Sequence, residues 1–139
     1  MSLMTTSPIA AARIRSAADV ADRWRSLLDP LAFAGRTLWL TWIGRDGRQL
    51  PVVVPVDDLP RSPDPLLLVT LCDVHTGVLH GQLGGAGHLA LALCRPGPAE
   101  VTGDDDAWAE ALRSVLDADA WSLHLVAAGR VLPVVEGPW

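Results

Sequence analysis

Apolar residues recur at helical spacing in three segments of the chain. After Ser16, which can cap a helix together with Asp19, apolar residues follow at helical intervals, and Pro30 limits this helix to about three turns. The same spacing predicts a second helix over Leu66–Leu83 and a third over Asp104–Leu116. The residues expected to face the core are Val20, Trp24, Leu27 and Leu28 in the first helix, Leu67, Leu71, Val74 and Val78 in the second, and Trp108, Leu112, Val115 and Leu116 in the third.

Short apolar runs rich in strand-forming residues lie between the predicted helices. Leu38–Ile43 and Leu50–Val54 flank a turn at Arg45–Arg48, which predicts a β-hairpin. Because a proline removes a ladder hydrogen bond from a central strand, Pro51 indicates an edge strand or a bulge. His88–Cys94 is apolar at both odd and even positions, as expected of a strand that is covered on both faces.

The last part of the chain predicts a second hairpin. Trp121–Val126 and Arg130–Val135 flank a turn at Ala128 and Gly129. The order helix, strand, strand, helix, strand, helix, strand, strand is that of an α/β sandwich with a mixed sheet. We therefore expect a single α/β domain over residues 16–139, preceded by a flexible segment over residues 1–15.

Composition narrows the range of partners. The chain has 139 residues, 50% of them hydrophobic, and a formal charge of −5. All cations are arginines scattered along the chain, so no basic face predicts binding to nucleic acid. No apolar run approaches the roughly 18 residues of a membrane-spanning helix, and no secretion signal is recognisable, so we expect a cytoplasmic protein that does not contact a membrane. Cys72 and Cys94 are then expected to be reduced thiols.

A Pro/Gly-rich segment, Cys94–Asp106, joins the third strand to the third helix. With the order of the elements, it resembles the RadC-like branch of the JAB/JAMM metallohydrolase fold, in which a strand ends in His-x-His-Pro and a later serine and aspartate open a helix. The resemblance covers about residues 16–135 and implies a JAB-like domain with cytidine-deaminase-like layering. When Pro96 is placed on the family's proline, the metal-site positions of the family fall on Leu93, Arg95, Gly103 and Asp106.

These residues do not supply the chemistry of a hydrolytic zinc. Such a zinc needs three protein ligands and one open position for water. Leu93 and Arg95 replace both histidines, and leucine offers no donor atom while arginine brings a repelling charge. The stretch Phe33–Leu38, which should hold or flank the family's catalytic glutamate, contains no acid. We therefore expect no catalytic residue, no metal and no cofactor at this site.

Arg95 needs an anionic partner if it occupies the place of a histidine, because an unpaired guanidinium near the interior is costly. Asp106, or one of its neighbours Asp104 and Asp105, is expected to supply the carboxylate. Thr102 and Asp105 also have the spacing of a capping box.

The chain resembles the family but lacks its metal-binding histidines. This combination predicts a non-catalytic JAB-like domain that acts in binding, scaffolding or regulation. The alternative is a divergent hydrolase with a non-standard metal site. Cys72 and His75, three residues apart on the second helix, would be its first candidate ligands, although a polar flank of an ordinary helix accounts for them as well.

Two tryptophans of the first hairpin suggest an interface. Trp39 and Trp42 have opposite parity in one predicted strand, so their rings are expected on different faces of the sheet. Leu50–Val54 beside them is a possible edge strand. We expect a homodimer or another protein partner that contacts this hairpin, with Trp39 or Trp42 near the centre of the contact.

Overall fold

The computed structural model describes residues 13–116 and 119–139. The segment predicted to be flexible is residues 1–15, and residues 1–12 of it lie outside the described residues. Within the rest, Ile14 is buried and donates its backbone N–H to the Gly47 carbonyl at 2.7 Å. The described helices are α1 (Ala17–Leu27), α2 (Pro65–Gln82) and α3 (Gly103–Leu116). The described strands are β1 (Thr37–Ile43), β2 (Gln49–Val56), β3 (His88–Cys94), β4 (Ala120–Ala127) and β5 (Arg130–Val135).

The strands form one mixed sheet in the order β2-β1-β3-β4-β5. Neighbouring strands are antiparallel except for β3 and β4, which run parallel. All residues of β3 are buried, as the apolar pattern on both parities predicts. The predicted α/β class with a mixed sheet is therefore confirmed.

Helices cover both faces of the sheet and create two apolar clusters. On one face, α2 and α3 pack against β-strand residues that include Trp42 and Leu91. On the other face, Trp24 of α1 packs in a cluster with Ala92 of β3. None of the described helices is both long and apolar enough to span a lipid bilayer.

The predicted helix starts are confirmed at atomic detail. Ser16 Oγ accepts a hydrogen bond from the backbone N–H of Asp19 at 3.1 Å, and so caps α1. At α3, Thr102 Oγ1 accepts from the Asp105 N–H at 3.3 Å while Asp105 Oδ2 accepts from the Thr102 N–H at 2.9 Å. These reciprocal bonds form the capping box that the sequence predicts.

Two residues predicted to face the core point to solvent instead. Val74 of α2 is 39% exposed and Val115 of α3 is 40% exposed, so both predictions are wrong. The buried residues of α2 are Leu68, Leu71 and His75. Because α2 is apolar almost all the way round, its pattern does not define which side faces the sheet. The buried side of α2 is instead set by tertiary contacts. One of them is the hydrogen bond that Trp42 Nε1 donates to His75 Nδ1 at 3.0 Å.

The first hairpin lies at one edge of the sheet, and its tryptophans lie on opposite faces, as predicted. β2 is an edge strand, Pro51 is exposed on it, and the register between β1 and β2 shifts between Thr41 and Ile43. Trp42 is 0% exposed on the side of α2 and α3, whereas Trp39 is half-buried against the cluster of α1. Since the Trp42 ring is enclosed by its own chain, only Trp39 remains available for the predicted partner contact.

Candidate binding site at the end of β3

Arg95 leaves the end of β3 and forms a buried ion pair with the first turn of α3. Its Nε lies 3.0 Å from Asp105 Oδ1, and its Nη2 lies 2.7 Å from Asp105 Oδ2. Arg95 is 4% exposed and Asp105 is 0% exposed. The prediction that one carboxylate of the Asp104–Asp106 set meets Arg95 is therefore confirmed, and the residue is Asp105.

The remaining donors of Arg95 are taken by the loop that follows it. Nη1 donates to the carbonyls of Pro96 and Pro98, both at 3.0 Å, and Nη2 donates to the carbonyl of Glu100 at 2.7 Å. Gly97 lies between these acceptors with a φ of +99°, and a Cβ there would lie 3.3 Å from Arg95 Nη1. A glycine at this position therefore lets the loop wrap closely around the guanidinium.

Electrostatics favour the charged forms of both partners. The hydrogen bond from Arg95 to Asp105 is the main reason why the pKa of Arg95 is raised. Burial alone would raise the pKa of Asp105, but the hydrogen bonds from Arg95 and from the Thr102 backbone outweigh it, and the pKa of this carboxyl is lowered.

The four positions placed on the family's metal site do not form a zinc site. Leu93 is 0% exposed and packs in the cluster under α2 and α3. Gly103 and Asp106 are exposed at the start of α3. A zinc ion would find no donor on Leu93 and a fully hydrogen-bonded cation at Arg95, so these residues do not fit the metal that the resemblance implies. Within the described ranges, no three His, Cys, Asp or Glu side chains are grouped so that they could hold a metal ion.

Beside the ion pair, the surface opens into a cleft of about 590 Å³. The cleft lies between the start of β1, the end of β3 and the start of α3, and we call it the β3-end cleft. Its lining consists of Ala34, Gly35, Arg36, Arg61, Arg95, Pro96, Gly97, Pro98, Thr102 and Asp104. Arg61 Nη1 lies 3.7 Å from Asp104 Oδ2, and both side chains are substantially exposed.

Arg36 is the least satisfied cation of the β3-end cleft. Its Nε and Nη2 are sealed from solvent, and across residues 13–116 and 119–139 no acceptor lies within hydrogen-bonding distance of them. The sequence offered no signal for this arrangement, because Arg36, Arg61 and Arg95 come from three separate segments of the chain.

A second cleft, of about 480 Å³, lies at the opposite end of the central strands and includes His88. His88 Nε2 lies 2.9 Å from Ser122 Oγ, and its ring stacks on Trp139 with 3.6 Å between the centroids. Gly137, with a φ of +75°, lies so close to β4 that a Cβ would come within 2.0 Å of the Trp121 carbonyl. The serine is 0% exposed and the histidine is covered by the indole, so this pair is not placed to attack a substrate.

His75 and His124 are buried in the core of the protein. His75 uses its Nδ1 lone pair for the hydrogen bond from Trp42, so that atom is not free for a metal, and His75 lies in the core rather than on a polar flank. His124 is 1% exposed, and burial lowers its pKa to about 4. Cys72 and Cys94 are free thiols, and burial raises the pKa of Cys94 to about 12.

Sequence reasoning missed the contact between His88 and Ser122 and the contact between Trp42 and His75. The first depends on the parallel pairing of β3 with β4, in which Ala90 is the partner of Ser122. The second depends on the rotation of α2 about its axis. Neither contact can be predicted from the local spacing of residues.

Compared with family models, with curated proteins and with solved structures, the chain matches none.

Proposed function

We propose that this chain is a JAB-like domain that binds a ligand or partner and does not hydrolyse a substrate through a metal. The observation that carries the proposal is the buried pair of Arg95 and Asp105, at 2.7 Å, next to the place where the resemblance puts the metal. A metal-activated water requires an open coordination position. Here the side chains of Arg95 and Asp105 instead use their polar atoms for bonds within the chain.

The β3-end cleft is the ligand site of the proposed binding domain. It remains open beside the closed ion pair, and its volume of about 590 Å³ is in the range of small-molecule sites. Its rim is held by the capping box of α3 and by the carbonyls around Arg95. A rigid rim with an open centre favours binding, because little order has to be imposed when a ligand arrives.

Metal analysis separates this proposal from a divergent hydrolase. We expect the full chain, purified without chelator and then dialysed against zinc-free buffer, to carry far less than one zinc per chain, and EDTA to leave its melting temperature unchanged. Zinc near one per chain would overturn the proposal. Loss of that zinc in Cys72→Ser, but not in Asp106→Asn, would then assign it to the second helix rather than to the end of β3.

The proposed partner is a second copy of the chain, in contact with the sheet face that carries Trp39. α1 packs mainly against β5, at the far edge of the sheet, and contacts β2 at its first residue, where Arg23 Nη1 donates a hydrogen bond to Gln49 Oε1. Pro51, Val53 and Pro55 of β2 lie on this side, and the two prolines are exposed. These three side chains form an apolar strip that is partly exposed, and such a strip can serve as a contact surface.

Sedimentation over a wide concentration range tests the partner. We expect a dimer at high concentration, and we expect Val53→Arg to keep the protein monomeric because it places a charge in the contact. Arg130→Gln, on exposed β5, is the matched control and should leave the dimer intact. A monomer at every concentration would reject self-association.

A further inference from the structure

The charges of the β3-end cleft are balanced unequally. The charge of Arg95 is neutralised by Asp105, and its other side-chain donors are hydrogen-bonded to backbone carbonyls. Arg61 has Asp104 at 3.7 Å, but its side chain is 79% exposed, so this surface pair is weak. Arg36 has no acidic partner in the described part of the chain. One positive charge in the cleft is therefore uncompensated.

Arg36 and Arg95 differ in the hydrogen bonds of their guanidinium groups. Arg95 donates hydrogen bonds from Nε and Nη2 to the two carboxylate oxygens of Asp105. The same two nitrogens of Arg36 are sealed from water and have no acceptor, whereas Nη1 of Arg36 is not sealed. A buried donor without an acceptor is costly. An anion at Nη1 compensates the charge of the delocalised guanidinium, but it does not reach the two sealed nitrogens.

We propose that the β3-end cleft binds a small organic monocarboxylate, with Arg36 as the principal cation and Arg61 as a second, flexible one. This inference rests on the proposed binding function, because it identifies the ligand class of the same cleft. The carboxylate contacts Arg36 through Nη1, and its charge compensates the guanidinium as a whole. A single uncompensated cation matches a monoanion better than a dianion such as inorganic phosphate, since Asp104 would repel the second charge.

The volume of the cleft indicates that the ligand is larger than a bare ion. About 590 Å³ leaves room for an organic body beyond the carboxylate. Ala34, Gly35, Pro96 and Pro98 supply an apolar part of the wall. A Cβ built on Gly35 meets nothing within 4 Å, so a larger side chain can enter the cleft from this position without a clash at its first atom.

The test is a titration of the full chain with propionate and benzoate, followed by NMR and calorimetry. Inorganic phosphate and chloride at equal ionic strength are the comparison anions. We expect saturable binding of at least one carboxylate, with shifts at the Arg36 side-chain N–H, and weaker binding of phosphate and chloride. Shifts that do not saturate, or tighter binding of phosphate than of either carboxylate, would overturn the proposal.

Variants assign the binding to the cleft. Arg36→Gln is expected to weaken the carboxylate about tenfold or more, because a charge-assisted hydrogen bond is lost. Arg45→Gln is the matched control, since Arg45 is exposed in the β1–β2 turn, at the opposite end of β1 from Arg36. Equal affinities for Arg36→Gln and Arg45→Gln would reject the role of Arg36.

Gly35→Phe keeps the proposal testable if Arg36→Gln does not fold. This variant retains all charges and places a bulky ring at the lining of the cleft, so it is expected to abolish carboxylate binding while the melting temperature stays close to that of the original chain. Unchanged binding in a folded Gly35→Phe would place the ligand elsewhere. The zinc analysis reports only on the proposed function and these titrations report only on the ligand, so failure of one is distinguishable from failure of the other.

Discussion

Arg95 donates three hydrogen bonds to Asp105, from Nε to Oδ1 at 3.0 Å, from Nε to Oδ2 at 3.2 Å and from Nη2 to Oδ2 at 2.7 Å, and both side chains are buried. The pair connects the end of the central strand to the first turn of α3, and the intervening carbonyls close around the guanidinium. Forming such a pair costs desolvation free energy. Removing one partner costs more, because the other charge is then left buried without compensation.

Asp105→Asn is expected to lower the free energy of unfolding by about 3 kcal/mol, because Arg95 loses its counter-charge inside the protein. Urea unfolding followed by circular dichroism measures the difference. Asp106→Asn is the matched control: it changes the next carboxylate along the same turn, which is exposed, and is expected to change stability by less than about 0.5 kcal/mol. Similar losses in the two variants would show that the buried pair does not stabilise the loop.

Stability is expected to fall as the pH falls from about 6.5 to about 4, because burial lowers the pKa of His88, His124 and His75. Burial lowers the pKa of His88 and of His124 to about 4. In this window the unfolded chain binds protons that the folded chain does not, so the unfolded state is favoured increasingly toward low pH. His88 and His124 each contribute up to about 3 kcal/mol of this loss.

Replacing His124 by leucine is expected to flatten the pH dependence, since one of these buried groups no longer titrates. Urea unfolding from neutral pH down to about pH 4 measures the slope. His80→Gln, at an exposed position of α2, serves as the control. The account fails if His124→Leu retains the full slope of the original chain.

Trp42→Phe is expected to destabilise the protein by about 2 kcal/mol more than Trp39→Phe. The first change leaves His75 Nδ1 buried without its donor, which lies at 3.0 Å in the original chain. The second removes an indole N–H that has no acceptor among the described residues. Because the two rings are in the same strand and undergo the same chemical change, equal losses would show that the hydrogen bond to His75 contributes nothing.

Pro51 and Pro55 are expected to prevent the sheet from extending beyond β2. Pro55 lies opposite Trp39, and neither proline has an N–H to donate to a further strand. Pro51→Thr with Pro55→Thr restores donors at this edge, and larger assemblies than those of the original chain should appear in sedimentation. Pro60→Thr in the loop before α2 is the control. An unchanged size distribution would show that the prolines do not protect the edge.

Patterns within a few residues were sufficient to predict features that depend on neighbouring residues alone, such as helix caps. Ser16 and Thr102 mark helix starts because a side-chain oxygen three residues from a free N–H can satisfy it, and both caps are present in the structure. The position of Pro51 indicates an edge because a proline cannot complete a central ladder. The local signal was weakest in α2, whose uniform apolarity gives no direction, and there the expected burial of Val74 was wrong.

The sequence by itself determined the helices and strands, the mixed sheet and the covered central strand, because periodicity and capping act over a few residues. It also determined that Arg95 needs a carboxylate, because a buried charge without a partner is costly. Only the tertiary structure decided that this carboxylate is Asp105, that His75 meets Trp42, and that Arg36 faces the same cleft as Arg61. These contacts join segments that are distant along the chain. They depend on strand register and on the rotation of packed helices, which the order of residues does not display.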